Sequence, residues 1–301
     1  MQPIQRLLSD IVDFAGLFPP AGLDMATMVA NYHEHLTSNH SWMLGSVVLP
    51  LAKLDAFESA WTDQGFEAET SISLLPPPLD DDGFEDAMNR ISEFNQADTL
   101  HTVYAIEVRV TDPEAVAKVE LAPSNVASFI EVPRDNMQAV ILAIQDTGYP
   151  GDNFAKVRTG GVKPEMIPPA DYVADFMIAC KDAGIGFKAT AGLHHPFRAD
   201  YPLTYEPGCD VGRMHGFLNV FLGACLLDTH RIEKHELVEF LELASPGQLK
   251  IAPSGIQWRD YTLTDSDIQS GRQDFILSFG SCSFTEPVDD LKSLSLFPEA
   301  P

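Results

Sequence analysis

Lys156 and Arg158 stand two residues apart in FAKVRTGG, and Lys188 follows in GFKATAGLHHP. A spacing of two puts Lys156 and Arg158 on one face of a strand. A lysine among other cations has its charged form disfavoured, and a neutral amine can attack a carbonyl carbon to form a Schiff base. The resulting iminium draws electrons and stabilises an enamine carbanion, while a nearby carboxylate can shuttle protons. Carboxylates sit in comparable apolar settings: Asp13 in IVDFAG, Glu107 in YAIEVRV and Glu131 in SFIEVP. In YAIEVRV, Tyr104, Ile106 and Val108 make one apolar face, and Glu107 with Arg109 the other. Asp13, Glu107, Glu131, Lys156, Arg158 and Lys188 are therefore candidates to converge on one axis. An isolated buried charge is costly, so a group of them on inner faces argues for chemistry.

Convergence requires those strands to share one closed sheet. Apolar, β-branched runs alternate with helical patterns along most of the chain. Strands are predicted at 11–15, 42–50, 69–75, 102–110, 128–133, 154–159, 186–191 and 275–282. Helices are predicted at 24–37, 51–64, 84–96, 112–121, 135–148, 169–183, 213–228 and 233–244. Asp112-Pro113 offers a cap followed by a first-turn proline. Eight alternating units predict an α/β fold, a (β/α)8 TIM barrel over 1–301, with its site at the carboxyl ends of the strands. A doubly wound open sheet would place a GxGxxG loop after its first strand, and no such motif occurs. Residues 197–274 break the rhythm as an insertion before strand eight. They carry a Pro/Gly-rich loop, two helices and a hairpin in LKIAPSGIQWRDYTL, and are expected to form a lid or an oligomer contact.

The last strand, FILSFGSCSF, ends in small and polar residues. Gly280, Ser281 and Cys282 could cradle a phosphate or carboxylate with backbone N–H groups, helped by a following helix N-terminus. His194, His195 and His215 raise an alternative, a divalent metal held with Glu131 or Asp13 in a metal-dependent lyase or hydrolase. Adjacent histidines point apart on a strand, so both would need a loop; the other reading is a polar loop with one histidine in acid–base work. Cys282 as a nucleophile finds no assignable histidine partner in the sequence, and a small buried thiol is the simpler expectation.

The segments Lys156-Val157-Arg158-Thr159-Gly160, Lys188-Ala189-Thr190-Ala191-Gly192 and Phe279-Gly280-Ser281-Cys282-Ser283 resemble, in order and strand number, those of the class I deoxyribose-phosphate aldolase family. The resemblance implies a β/α barrel in which Lys156 forms the imine and Lys188 lowers its pKa. It also implies Glu107 and Asp13 as the strand-four and strand-one acids, and Gly192, Ser281 and Cys282 in an anion site. The chain departs from that family in Glu107 for an aspartate, in Arg158 for a small residue, in the HHP after strand seven and in the long insertion. These departures turn the substrate expectation away from deoxyribose phosphate. The chain also resembles a bacterial family of unassigned function through its DFAGLFPPA, KVRTGG, KATAGLHHP, MHGFLN and FGSCSF segments, a likeness that implies no activity.

With 44 acidic against 19 basic residues the net charge is −25. Neither nucleic acid nor an anionic membrane surface is therefore expected as a partner, because both demand a basic surface. Cys180, Cys209, Cys225 and Cys282 form no CxxC or zinc-like spacing. The N-terminal residues lack the apolar core of a signal peptide, and the apolar run 217–227 is too short to span a bilayer. The expectation is a reduced, cytoplasmic protein with a small-molecule substrate, no cofactor, and the insertion as a candidate homo-oligomer contact. Its expected activity is that of a Schiff-base, aldolase-like carbon–carbon lyase on a small carbonyl metabolite, the anionic class included. Lys156, Lys188, Glu107, Asp13 and Arg158 are its expected catalytic residues. Glu131, Thr159, Gly160, Gly192, His194, His195, Gly280, Ser281 and Cys282 are the expected substrate contacts. A non-catalytic metabolite-binding barrel is the remaining alternative.

Overall fold

Outward-facing Ile106, Val108, Ile130, Val157 and Ala189 are all but completely buried, as strands covered by helices require. Each such side chain stabilises the fold by about 1.5–3 kcal/mol, the smaller alanine less. The computed structural model describes residues 2–97, 100–147 and 153–296. Helix α1 (Pro3–Leu8) precedes strand β1 (Val12–Phe14), followed by α2 (Met25–Thr37), β2 (Leu44–Pro50), α3 (Leu54–Asp63) and β3 (Thr70–Leu75). Next come α4 (Phe84–Gln96), β4 (His101–Arg109), a 3-10 helix (Pro113–Leu121), β5 (Ala127–Glu131) and α5 (Met137–Gln145). Strand β6 (Asn153–Arg158), α6 (Ala170–Ala183) and β7 (Phe187–Thr190) lead into a hairpin, β8 (Ala199–Pro202) and β9 (Val211–Met214). Helices α7 (Phe217–His230) and α8 (Lys234–Leu241), strands β10 (Lys250–Ala252), β11 (Gly255–Trp258) and β12 (Tyr261–Leu263), and helix α9 (Asp265–Asp274) come before β13 (Ile276–Ser281) and α10 (Thr285–Ser293).

Strands β1 to β7 and β13 close into an eight-stranded barrel, parallel at every pair. This is the (β/α)8 TIM barrel expected from the alternation. The start expected at Asp112-Pro113 is capped as read, Asp112 accepting from Glu114 N–H at 3.0 Å, and Asp24 likewise accepts from Thr27 N–H at 2.9 Å. Residue 148, the expected end of the fifth helix, lies outside the described residues.

Four local expectations need correction. The 112–121 helix is 3-10, because its buried residues Val116 and Val119 are three apart and a three-residue turn stacks them on one line. The 213–228 helix starts only at Phe217: Arg213 and Met214 pair with Asp200 and Ala199 in the hairpin. A Cβ at Gly216 would meet the Phe197 backbone at 2.4 Å, so the turn between hairpin and helix needs glycine. The expected hairpin at 249–263 is a three-stranded antiparallel sheet, β10–β11–β12. Tyr104 is not part of an outward apolar face. It is an extra residue between the Val103–Ile72 and Ala105–Ser73 pairs, and this bulge turns its hydroxyl to within 3.4 Å of Ser46 Oγ.

The apolar stretch 217–227 is buried on all sides within α7, which packs on α6, α8, α9 and β13. It is a core helix rather than a span. Among the described residues no helix is long and apolar enough to cross a membrane.

Candidate active site

The register of the barrel sets the site. Arg109 pairs with Glu131, Glu131 with Lys156, and Lys156 with Lys188, on four consecutive strands. Their side chains, with Asp13 and Glu107, form an alternating chain of charge across the interior. Lys188 Nζ lies 2.6 Å from both Asp13 Oδ2 and Glu107 Oε1. Lys156 Nζ lies 3.2 Å from Glu107 Oε2 and 2.9 Å from Glu131 Oε2. Glu131 Oε1 in turn meets Arg109 Nε at 3.3 Å and Arg158 Nε at 3.5 Å.

Serines satisfy the remaining carboxylate lone pairs. Asp13 accepts from Ser46 N–H at 2.8 Å, Ser46 Oγ at 2.7 Å and Ser278 Oγ at 2.5 Å, and Glu107 accepts from Ser73 Oγ at 2.9 Å. Ionised groups so enclosed need this full complement of partners. Burial by itself would raise the Glu107 carboxyl, but Lys188 and Lys156 outweigh it and hold the group near 2. Burial by itself would lower the Lys188 amine, but Asp13 and Glu107 push it well above the usual lysine range. Glu131 is held below the usual carboxylate range, burial again being outweighed by Lys156 and Arg158.

A cavity of about 1010 Å³ opens at the carboxyl ends of the strands. That is the upper end of the size of small-molecule sites. Glu107, Glu131, Lys156 and Arg158 form its charged wall, and Gly192, His194, His195, Gly280 and Cys282 also line it. The β8–β9 hairpin and its connecting loop also line it, with Tyr201, Leu203 and Met214.

Other expected site residues are placed elsewhere. Asp13 and Lys188 lie beneath the cavity wall, with the Lys188 side chain 0% exposed. The expected crowd of cations around Lys156 is a correction: its two contacts are carboxylates, and Lys188 is held by carboxylates of its own. The Thr159 hydroxyl donates to Ala191 O at 2.6 Å, tying the ends of β6 and β7 together instead of reaching substrate. Gly160 stands against Gly192, where a Cβ on either would lie 3.0 Å from the other's Cα. Ala191 and Gly192 both have positive φ, +61° and +76°, so this turn carries local backbone strain beside the cavity. Ser281 Oγ donates to Ser283 O at 2.7 Å and does not line the cavity.

The three histidines are not brought together. His215 Nε2–H donates to the Pro168 carbonyl at 2.8 Å and Nδ1 accepts from Arg198 at 2.7 Å, so the ring is sealed in the core. Burial, reinforced by the Arg198 charge, lowers its pKa to about 4. Among the described residues no group of three or more His, Cys, Asp and Glu is arranged to hold a metal ion.

Helix α10 supplies partners that the sequence reading missed. His194 Nδ1 lies 2.8 Å from Glu286 Oε2, and His195 Nδ1 lies 2.6 Å from Asp290 Oδ2. Glu286 and Asp290 are four apart, on one helix face, and that spacing was the available signal. Ser278, two residues before Gly280, and Ser73, two before Leu75, were legible by strand parity as inward-facing. No protein-family model matches the chain, and no curated protein matches its sequence.

Proposed function

We propose that the barrel is a Schiff-base carbon–carbon lyase of the class I aldolase type, with Lys156 as the imine-forming residue. One observation carries this reading: among the described residues Lys156 is the lysine on the cavity wall, with a carboxylate on either side of its amine. Glu107 at 3.2 Å and Glu131 at 2.9 Å hold the Lys156 amine in place beside the cavity. Attack on a substrate carbonyl forms the C–N bond, and loss of water gives the iminium. Cleavage of the adjacent C–C bond sends its electron pair into the iminium, while the β-hydroxyl proton passes to a carboxylate and an aldehyde departs. Reprotonation of the enamine and hydrolysis return the free amine.

Arg158 and Arg109 stand at the open end of the charged wall, where they would face an anionic group on the substrate. Lys188 and Asp13 act through Glu107, keeping it ionised and fixed. The substrate class is thus a small β-hydroxy carbonyl compound carrying an anionic group.

Incubation with acetaldehyde, glyceraldehyde or pyruvate, reduction with borohydride and intact mass measurement test the reading. A single reduced adduct mapped to Lys156 and lost in K156A is expected. No adduct with any carbonyl compound would sink it, and a ligand bound without an adduct would mark a binding barrel instead.

A further inference from the structure

Cys282, His194 and Glu286 stand in line on the same cavity, apart from the charged wall. His194 Nε2 lies 3.9 Å from Cys282 Sγ, and its Nδ1 lies 2.8 Å from Glu286 Oε2. A hydrogen bond from Nδ1–H to the carboxylate turns Nε2 toward the sulfur. This is the order of a nucleophile, a proton carrier and a carboxylate that orients it. Burial would lower the His194 pKa, but its contacts with Cys282 and Glu286 raise it to about 9, so the ring keeps a proton beside the thiol at neutral pH. Cys282 also lies three residues before the start of α10 (Thr285–Ser293), at the end where a helix dipole is positive. The Tyr205 hydroxyl closes the other side of the sulfur at 3.9 Å.

The remaining cysteines lack this setting. Cys180 and Cys225 are sealed in the core, where burial pushes their thiols up. Cys209 is partly exposed and its thiol donates to the Thr204 carbonyl.

We propose that Cys282 is a second nucleophile of the barrel, which accepts an acyl group from an activated ester or thioester bound in the cavity, with His194 carrying the proton and Glu286 orienting it. Sγ bonds to the carbonyl carbon while the thiol proton rests on His194 Nε2. The bond from that carbon to the leaving oxygen or sulfur then breaks, and His194 hands the proton to the leaving group. Water, giving a proton to the same nitrogen, attacks the thioester carbon; the C–S bond breaks, the thiol regains its proton and a carboxylic acid departs. No oxidant or reductant enters.

The test uses p-nitrophenyl acetate and the full chain. A burst of nitrophenolate matching the protein concentration is expected, with an acetyl group mapped to Cys282. The burst disappears in C282A, and acylation slows about 100-fold in H194N, the size of a typical general-base contribution. Iodoacetamide labelling of Cys282 should slow at least about tenfold in H194N, which removes the group that takes the thiol proton. Acetyl found elsewhere, a burst surviving in C282A, unchanged acylation in H194N, or Cys282 labelled as fast in H194N as in the unaltered protein would each overturn the proposal. The acetyl-cysteine and the reduced lysine adduct fall on different peptides of the same chain, so this inference and the lyase reading can fail separately.

Discussion

Lys156 and Lys188 are register partners on neighbouring strands, yet only Lys156 borders the cavity. Lys188 is sealed between Asp13 and Glu107 with the Phe129 ring 5.2 Å away, so its charge is part of the fold's foundation. Lys156 shares Glu107 but has its second carboxylate, Glu131, on the cavity wall. Two histidines divide in the same way. His215 is enclosed and held neutral toward pH 4, whereas His194 faces the cavity and keeps its proton toward pH 9. Residue type therefore says little about role here; what encloses each group, and with which sign of charge, decides it.

The sharpest way to break the contrast between the lysines is chemical. K156A should lose the borohydride-trapped adduct and lower any lyase rate by about 10³-fold or more, the scale of losing a covalent nucleophile. An adduct at Lys188 instead would invert the comparison. The next largest effect concerns stability. K188M leaves Asp13 and Glu107 buried without their shared cation and should cost about 3–5 kcal/mol in urea unfolding. K156M should cost less than half of that, because Glu107 keeps Lys188 and Glu131 keeps both arginines.

The histidines predict opposite pH limbs. His215 has a folded pKa below its unfolded value of 6.5, so its contribution is present above 6.5 and is lost as pH falls toward 4. His194 has a folded pKa above 6.5, so its contribution is present below 6.5 and is lost as pH rises through 9. Each limb amounts to about 3 kcal/mol. Urea midpoints across pH should show both limbs, with H215Q flattening only the acidic one and H194N only the alkaline one. The smallest effect belongs to Arg109, whose side chain is 66% exposed. R109Q should change unfolding free energy by less than about 1 kcal/mol, as exposed ion pairs do.

Much of the fold was legible from local pattern. All eight barrel strands overlap the predicted runs, five lying wholly inside them and β4, β5 and β6 starting one residue early, because strands buried on both faces must be apolar and alternate with helical patterns. Inward placement of Asp13, Glu107, Glu131, Lys156, Arg158 and Lys188 followed from the two-residue period. Tyr104 escaped that logic because a bulge shifts parity by one residue, and the neighbouring sequence carries no mark of it. The hairpin at 199–214 was hidden by a Pro/Gly-rich stretch that reads as loop, and its strands are set by pairing with each other rather than by propensity.

The chain by itself determined the barrel, the direction in which its charged side chains point, and the net negative charge, since each depends on periodicity and composition. Only the tertiary structure decided which amine borders open space, that carboxylates rather than cations surround it, and that a histidine and a glutamate stand in line behind Cys282. Those relations join residues up to 92 positions apart, as between His194 and Glu286. Strand register and loop closure alone bring such groups within bonding distance, and neither is written in a local pattern.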